Sequence, residues 1–354
     1  MQADGGISTQ ELQLAARNHG MPLEALRHAI TPIGLHYLLV HYDVPVVDAA
    51  TWRLEVGGRV ARPRSLTLDD VRAFEPVTAP VTMECAGNGR AALTPRPVSQ
   101  PWLLEAVGTG EWTGARLIDV LESAGVAPGA VEVLFSAIDR GVEGGLVQCY
   151  ERSLPLDAAL RDDVLLAYAL NGVPLPPQHG FPLRLLVPGW YGMTSVKWLR
   201  AITVLAEPFD GYQNAVSYRL RAREDDPGAP ITRIEPRSLM VPPGIPDFMS
   251  RRRFLPSGEL TLEGRAWSGW GPIERVEVST DGGASWGEAT LAEPLGPAAW
   301  TGWSYAWAAS PGEHELCSRA TDATGRRQPD APAWNIGGYA NNAVQRVSVS
   351  VRRS

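Results

Sequence analysis

A proline- and charge-rich segment at residues 222–247, AREDDPGAPITRIEPRSLMVPPGIPD, divides the sequence into two unlike parts. Helix and strand patterns are mixed before it, whereas helix signals nearly vanish after it. A chain of 354 residues is also longer than one hydrophobic core comfortably fills. We therefore predict a first domain at residues 1–225, a linker at residues 226–245 that runs along the surface, and a second domain at residues 246–354.

The first domain mixes helices and strands without a regular strand–helix–strand repeat. Ser8-x-x-Glu11 is a capping box that predicts a helix start, and GARLIDVLESAG predicts a helix that ends at Gly125. Asn171-Gly172 predicts a tight hairpin turn, and LHYLLVHYDVPVV at residues 35–47 has the pattern of a strand. This irregular mixture predicts the α+β class rather than a doubly wound sheet.

The second domain shows strand patterns almost exclusively. Apolar and polar residues alternate in GELTLEGRAW, IERVEVSTDGGASWGEATL, WTGWSYAWAA, GEHELCSRATDATG and AVQRVSVSVRR. Asp281-Gly282-Gly283 is a turn signal between such segments. Short strands at this spacing predict an immunoglobulin-like β-sandwich, for which no disulfide is required.

Charge and cysteine content exclude several classes of protein. The net charge is −7 and Arg251-Arg252-Arg253 is the longest basic run, so we expect no nucleic acid partner. Cys85, Cys149 and Cys317 are far apart, which argues against a disulfide framework or a structural zinc site. No apolar run approaches the roughly 20 residues that span a membrane. We expect no membrane partner and a cytoplasmic location, or a periplasmic one if a signal peptide was removed.

The stretch VTMECAGNGR, residues 81–90, carries the most informative of the three cysteines. Gly87 and Gly89 allow a bulky group to approach the backbone closely, and Arg90 can bind an anion. Cys85 itself has three interpretations: a packed small hydrophobic residue, a nucleophile, or a thiolate ligand to a metal-bearing cofactor. A nucleophile would need a histidine base from elsewhere in the fold, and the possible bases are His36, His41 and His179.

Several motifs in the same order resemble the sulfite oxidase family. MECAGNGR resembles its cysteine motif, and PWLLEAVGTGEWTGARLIDVLESAG resembles its tryptophan-containing loop and the helix that follows. DVLLAYALNGVPLPPQHGFPLRLLVPGWYGMTSVKWL is similar to the family's HGFP-x-R and VPG-x-x-G-x-x-x-VKWL elements. AWSGWGPIERVEVSTDGGASW resembles its C-terminal dimerisation domain. The resemblance covers about residues 30–350 and implies a sulfite oxidase fold with a mixed α/β molybdopterin-binding domain.

The resemblance implies a molybdenum cofactor, Mo-molybdopterin. In that family the pterin supplies two sulfur ligands to the metal and a cysteine supplies a third; Cys85 matches that cysteine and is the predicted metal ligand. The positions that match the family's pterin contacts are His41, Asp139, His179, Arg184, Ser195, Val196 and Lys197. Composition alone favours structural ion pairs for Arg184 and Asp139 and an ordinary strand residue for Lys197, and the ordered motifs reverse that preference.

The resemblance also implies a set of substrate-side residues. The predicted catalytic residues are Cys85, Arg90, Trp102 and Tyr218, with Tyr212 as the alternative tyrosine and core packing as the alternative for Trp102. Three positions depart from the family pattern, because arginines are usual there: Leu39, Gly89 and Gly337. Charge-assisted hydrogen bonds are worth about 1.5–3 kcal/mol each, so the absence of arginine at positions 39 and 337 would weaken the binding of a small dianion. The arginines that we considered as replacements are Arg96, Arg116 and Arg219.

The sequence therefore predicts a molybdopterin oxidoreductase that most simply oxidises sulfite to sulfate. The electrons would leave to an external acceptor such as a cytochrome c, since no CxxCH motif is present and no haem is expected in this chain. The missing arginines keep a second function open, in which the enzyme acts on another sulfur compound or reduces an S- or N-oxide. A third is a scaffold without redox function. The resemblance implies a homodimer formed through the second domain.

Overall fold

The computed structural model describes residues 6–353. Its α-helices are short and lie in the first half of the chain: α1 (Thr9–Arg17), α2 (Leu68–Arg72), α3 (Leu117–Ala124) and α4 (Leu156–Ala159). Single 3₁₀ turns occur at Leu23–Arg27, Ile33–Leu35, Arg90–Ala92, Pro177–His179 and Gly192–Thr194, and a π-helical turn at Gln213–Ser217.

Strands supply most of the regular structure in both parts of the chain. Those of the first part are β1 (Leu54–Gly58), β2 (Arg64–Leu66), β3 (Pro76–Glu84), β4 (Val107–Arg116), β5 (Glu132–Glu143), β6 (Leu146–Pro155), β7 (Leu165–Leu170), β8 (Val173–Pro174), β9 (Arg184–Leu186), β10 (Leu199–Leu205), β11 (Arg219–Leu220) and β12 (Ala229–Pro230). Those of the second part are β13 (Arg237–Met240), β14 (Ile245–Pro246), β15 (Arg253–Pro256), β16 (Gly258–Trp267), β17 (Ile273–Ser279), β18 (Gly287–Glu288), β19 (Thr290–Leu291), β20 (Thr301–Ala309), β21 (Gly312–Asp322) and β22 (Gln345–Arg352).

One mixed and one antiparallel sheet build the first domain. One has the strand order β2-β1-β10-β5-β6, with β1 and β10 parallel, and the other has the order β3-β4-β7-β8, with β9 also pairing β7. Their buried side chains share one core with α3, and this core includes Leu54, Leu121, Phe135, Leu166 and Ile202. The α+β prediction is confirmed, because the helices are short covers on sheets whose strands mostly pair with antiparallel neighbours.

The local predictions for the first domain hold at three places. In the capping box, the Glu11 amide donates to the Ser8 hydroxyl over 3.3 Å and the Ser8 amide donates to the Glu11 carboxylate over 2.8 Å. Helix α3 ends at Gly125, which has the left-handed φ of 73° that favours glycine. Asn171 and Gly172 have φ values of 49° and 77° and join β7 to β8, as a two-residue hairpin turn requires.

The prediction of a strand at residues 35–47 is wrong. That segment follows a 3₁₀ turn and pairs with other backbone only through an isolated bridge between His19 and Leu38. Its Leu39 carbonyl instead accepts a hydrogen bond from the Lys197 ammonium group at 2.8 Å. Three of the apolar residues that suggested a strand, Tyr37, Leu38 and Leu39, line a cavity instead of joining a sheet.

The second domain is a β-sandwich. Its sheets have the orders β13-β16-β20-β19 and β14-β15-β22-β21-β17-β18. Leu262 and Trp303 from the first sheet share a core with Val278, Leu316 and Val349 from the second. The prediction of a β-rich second domain is confirmed, and all three cysteines are free, so no disulfide links the two sheets.

We predicted that residues 226–245 form a linker that runs along the surface, and this prediction is wrong for the second half of the segment. Strand β13 lies inside that segment, is fully buried, and pairs antiparallel with β16, with Arg237 opposite Trp267. The segment's prolines and charges indicated a solvated linker, yet Leu239 and Met240 contribute to the domain cores. Within residues 6–353, no helix has both the length and the apolar character needed to cross a membrane.

Candidate active site

A narrow cavity in the first domain brings together most of the predicted cofactor residues. Its empty space, counted out to open solvent, is about 620 Å³. The predicted residues that line it are His41, Cys85, Asp139, His179, Arg184, Ser195 and Lys197. Val196 differs from the prediction, because its side chain is buried in the core of the domain.

Cys85 follows the end of β3 and faces this cavity. Its amide donates to the Ala106 carbonyl at 2.9 Å, and its carbonyl accepts from the Asn88 amide at 3.0 Å, which fixes the loop. Burial raises the pKa of the Cys85 thiol, against the opposing effect of the Arg90 guanidinium. None of the hydrogen bonds found in residues 6–353 joins a histidine to the thiol, so Cys85 lacks the adjacent base that would activate a nucleophile.

The protein alone does not supply a complete metal site here. No group of three or more histidine, cysteine, aspartate or glutamate side chains in the described part of the chain could hold a metal ion. A metal bound through Cys85 would therefore need its other ligands from a cofactor, which is what a pterin dithiolene provides.

Two basic side chains in the cavity, the buried Arg184 and the half-buried Lys197, have no acidic partner within residues 6–353. Arg184 donates to the carbonyls of His179 at 3.1 Å and Ser195 at 3.0 Å, and Lys197 donates to the carbonyls of Leu39 at 2.8 Å and Gln178 at 3.0 Å. Burial lowers the pKa of Arg184 to about 10 and that of Lys197 to about 7. Since buried charges are normally paired, this environment suits an anionic ligand.

The alternative interpretation, structural ion pairs, does not fit this arrangement. Neither Arg184 nor Asp139 takes part in any ion pair within 4.0 Å found in residues 6–353. Asp139 Oδ1 is buried without a hydrogen-bond partner, and burial raises the pKa of this carboxyl to about 6, against the opposing effect of Lys197. An unpaired buried oxygen next to unpaired cations indicates polar groups of a ligand as the missing partners.

The cavity histidines are neutral donors or acceptors rather than charges. Burial lowers the pKa of His36 to about 4, that of His41 to about 3 and that of His179 to about 2. The rings of His36 and His179 meet edge to face at 5.6 Å. Neutral imidazoles, a carboxyl and two cations around one cleft fit a pterin with a phosphate, whose ring needs planar hydrogen-bond partners and whose phosphate needs cations.

Apart from Cys85, the predicted substrate-side residues form an edge beside this cavity: none of them is among its lining residues, but each lies near one that is. Arg90 is buried, donating from Nε to the Gly337 carbonyl at 2.8 Å and from a terminal nitrogen to the Gln100 carbonyl at 3.2 Å. The Tyr218 hydroxyl lies 2.6 Å from His41 Nε2. Trp102 belongs to the same buried cluster as Cys85, and its indole N–H has no partner atom. Tyr218 rather than Tyr212 therefore contacts the predicted cofactor residues.

None of the three arginines that we considered replaces the missing ones. Arg96 forms an ion pair with Glu11, and Arg219 donates to the carbonyls of Pro227 and Gly228. Arg116 lines a different cleft between the two domains. Leu39 lines the cofactor cavity. Position 39, where the family usually has an arginine, therefore contributes an apolar side chain to the cavity wall.

Sequence reasoning missed three residues of this edge: Tyr150, Arg152 and Tyr339. The Tyr150 ring stacks on His41 at 4.6 Å, and the Tyr339 ring lies 5.3 Å from Tyr218 and 5.0 Å from the Arg90 guanidinium carbon. Arg152 lies 5.5 Å from the Tyr218 ring. The sequence did contain one signal for Tyr150 and Arg152. They are two residues apart, and in a strand such residues share one face.

A buried network ties the cysteine loop to the second domain. The Glu84 carboxylate accepts hydrogen bonds from Asn88 Nδ2 at 3.0 Å and Trp267 Nε1 at 2.7 Å, and it forms an ion pair with Arg237, whose Nε lies 2.9 Å away. Arg237 and Trp267 belong to β13 and β16 of the sandwich. Since Glu84 directly precedes Cys85, the sandwich helps to fix the position of the thiol.

Comparison with family models divides the chain in a similar way. The model of the oxidoreductase molybdopterin-binding domain matches residues 41–213, and the model of the Mo-co oxidoreductase dimerisation domain matches residues 230–352. All seven predicted residues that line the cavity fall within the first match.

Curated relatives include enzymes with two different activities. Mitochondrial sulfite oxidase from Mus musculus is 36% identical over 348 residues, which cover 91% of this chain and 62% of the relative. NADH nitrate reductase 1 from Oryza sativa subsp. japonica is 35% identical over 363 residues, which cover 94% of this chain and 40% of the relative. The chain therefore spans less than two thirds of the length of either relative.

A solved structure resembles nearly the whole chain. The sulfane dehydrogenase SoxCD from Paracoccus pantotrophus superposes with a TM-score of 0.80 at 26% identity, covering 99% of this chain and 94% of that chain. The likeness extends over both domains, which supports the arrangement described above.

Proposed function

Because this chain belongs to the sulfite oxidase family of molybdenum-dependent oxidoreductases, we propose that it oxidises sulfite to sulfate and passes the electrons to an external acceptor such as a cytochrome c. The observation that carries the proposal is one buried thiol, Cys85, facing a cavity whose basic residues Arg184 and Lys197 have no acidic partner in the described part of the chain. A metal–pterin cofactor with an anionic tail fits that combination.

The cofactor-binding roles follow from the donor set. We assign Cys85 as the protein ligand to molybdenum, and Arg184 and Lys197 as the partners of the pterin phosphate. His41, His179 and Ser195 supply neutral hydrogen-bonding groups along the cleft, and Asp139 supplies a carboxyl oxygen. When bound, the molybdenum centre supplies oxygen-atom transfer and two-electron redox chemistry.

The chain's own residues would bind the substrate and hold protons during the reaction. Sulfite and one water molecule become sulfate, two protons and two electrons. Arg90 binds the oxyanion by charge-assisted hydrogen bonds. Burial raises the pKa of Tyr218 well above its usual range and lowers that of His41, so at neutral pH the pair holds a protonated hydroxyl beside a neutral imidazole.

Metal and pterin analysis combined with a sulfite assay tests this proposal. Protein produced in a host that makes molybdopterin should contain molybdenum and pterin and should oxidise sulfite with an artificial electron acceptor. Cys85→Ser should lose at least 99% of that activity, or about 3 kcal/mol of transition-state stabilisation. Wild-type protein that lacks both molybdenum and pterin would favour a scaffold without redox function.

A second candidate function has support from the substrate edge. Leu39 and Gly337 leave Arg90 as the one predicted arginine present there, and the relatives include nitrate reductases. Reduction of an S- or N-oxide, nitrate among them, or oxidation of another sulfur compound, would need fewer cations than binding of a dianion. Steady-state assays with sulfite, and with nitrate and sulfoxides plus a reduced dye, separate these reactions. A micromolar Michaelis constant for sulfite would exclude the second candidate.

We also propose a homodimer formed through the sandwich domain. The match of residues 230–352 to the dimerisation-domain model supports it. Sedimentation at several protein concentrations should give twice the 38.2 kDa chain mass, and a monomer at all concentrations would contradict it.

A further inference from the structure

The substrate edge contains a second buried guanidinium that the predicted catalytic set does not include. We propose that Arg152 is a substrate-binding residue which, together with Arg90, forms a two-arginine site for a small oxyanion. This inference rests on the proposed function, because it concerns the same site. In this proposal Arg152 supplies a positive charge in place of the arginines that are missing at positions 39 and 337.

Arg152 is a buried charge without a counter-ion. The residue is 4% exposed, one terminal nitrogen donates to the Gln213 main-chain carbonyl, and its Nε has no hydrogen-bond partner. None of the carboxylates in residues 6–353 forms an ion pair with it. Leaving a guanidinium buried and unpaired is unfavourable, so an anion that binds next to it would be stabilised.

The strand geometry directs Arg152 towards the site. Tyr150 and Arg152 are two residues apart in β6 and share one face of the strand. Tyr150 lines the cofactor cavity and stacks on His41 at 4.6 Å. The Arg152 guanidinium lies 5.5 Å from the ring of Tyr218, whose hydroxyl reaches the same histidine.

The two guanidinium groups flank a pair of tyrosine rings. Arg152 lies at the Tyr218 ring, Tyr218 and Tyr339 are 5.3 Å apart, and Arg90 lies 5.0 Å from the Tyr339 ring. Arg90 has no acidic partner in the described ion pairs either, so neither guanidinium is neutralised by a carboxylate. These two groups, with the tyrosine rings between them, are the ones that the proposed oxyanion site would use.

Tyr339 also explains why an arginine at position 337 would not fit. A Cβ atom added to Gly337 would lie 2.2 Å from Cε2 of Tyr339. The tyrosine therefore occupies the space in which a side chain at position 337 would start, and the cation must come from another element. Strand β6 supplies it through Arg152.

A structural role for Arg152, holding the Gln213 carbonyl at the π-helical turn, is the competing explanation. Arg152→Gln separates the two, because glutamine keeps a hydrogen-bond donor and removes the charge. In molybdenum-loaded enzyme we expect the Michaelis constant for sulfite to rise about 10- to 100-fold, as the loss of one charge-assisted hydrogen bond predicts, with kcat changed less than threefold. Arg152→Lys should recover part of the loss.

Arg64→Met is the matched control, because Arg64 is an exposed arginine of the same domain and its removal changes the net charge equally. An unchanged Michaelis constant for sulfite in folded, molybdenum-loaded Arg152→Gln would overturn the inference. A variant that loses only molybdenum content or melting temperature, with the Michaelis constant unchanged, would show a structural role instead.

Binding of sulfate provides a readout that does not depend on turnover. A few millimolar sulfate, compared with chloride at equal ionic strength, should raise the melting temperature of wild-type holoenzyme and of Arg64→Met but not of Arg152→Gln. Equal stabilisation of Arg152→Gln contradicts the two-arginine site. If wild-type enzyme does not oxidise sulfite, the proposed function fails, while the sulfate measurement still decides whether Arg152 binds an oxyanion.

Discussion

The cofactor cavity and the substrate edge of this protein are built in different ways. The cavity belongs to the first domain, and its predicted residues occur in short recognisable motifs such as HGFP and SVKW. The edge combines Arg90 and Arg152 of the first domain with Tyr339 of the second. The cavity can therefore be located from its motifs, whereas the edge depends on contacts between segments that are distant in the sequence.

The buried contact between the two domains should show the largest effect of a single substitution, a loss in the free energy of unfolding. Replacing Arg237 by methionine leaves the Glu84 carboxylate buried without its cation, and breaking a buried pair costs about 3–5 kcal/mol. We expect that loss in the free energy of unfolding measured with urea. Arg275→Met, which removes an exposed arginine of the same domain, should change it by less than about 1 kcal/mol. Equal losses would show that the Glu84–Arg237 pair adds little.

Lys197 tests the cofactor cavity alone. Lys197→Met removes one cation from the predicted phosphate site and should weaken retention of molybdopterin by about 10- to 100-fold, as the loss of a charge-assisted hydrogen bond predicts. The measurement is the pterin content after dialysis. Arg200→Met, three residues further along and exposed, is the control and should retain the cofactor as wild type does. Full retention by Lys197→Met would refute the role of Lys197.

The cavity histidines make the cofactor-free protein sensitive to acid. His36, His41 and His179 have pKa values of about 4, 3 and 2 in the folded protein, against about 6.5 in the unfolded chain. The unfolded state therefore binds protons first as the pH falls below 6.5, and the folded state loses stability from there downward. At pH 5.5 each histidine should cost roughly 1.4 kcal/mol relative to neutral pH.

His179→Gln isolates one of these contributions in urea unfolding at pH 7.5 and 5.5. The variant should show a smaller loss of stability between the two pH values than wild type. The comparison with wild type is needed because the raised pKa of Asp139, about 6, stabilises the folded protein as the pH falls through that value. Identical pH dependence in both proteins would contradict neutral burial of His179.

Cys149 should give the smallest effect of all. It is half-buried outside the cavity, and its sulfur makes one weak contact, 3.8 Å from an Arg200 nitrogen. Cys149→Ser should leave molybdenum content, pterin content and activity unchanged. A loss comparable to that of Cys85→Ser would show that the protein thiol ligand has been assigned to the wrong residue.

The sequence predicted local features better than it predicted contacts between distant segments. The capping box at Ser8, the end of α3 at Gly125 and the turn at Asn171 depend on nearby residues, and all three were correct. The segment at residues 35–47 was wrongly predicted because apolar alternation cannot distinguish a strand from an extended wall of a cavity. Strand β13 was missed because its burial depends on pairing with β16.

The same distinction applies to the site. Cys85 and Lys197 could be placed by motif, and Arg90 by its distance from the cysteine. Arg152 could not, because its proximity to Tyr218 depends on the register of β6 against the rest of the sheet. Likewise, the space at Gly337 is filled by Tyr339, a consequence of loop conformation that residue types alone do not indicate.

X-ray absorption at the molybdenum edge tests the central claim, that Cys85 holds the metal of a pterin cofactor, most directly. The account predicts that the spectrum of wild-type protein requires one more sulfur ligand to molybdenum than the spectrum of Cys85→Ser, while the spectrum of Cys149→Ser matches wild type. An equal number of sulfur ligands in wild type and Cys85→Ser would contradict it.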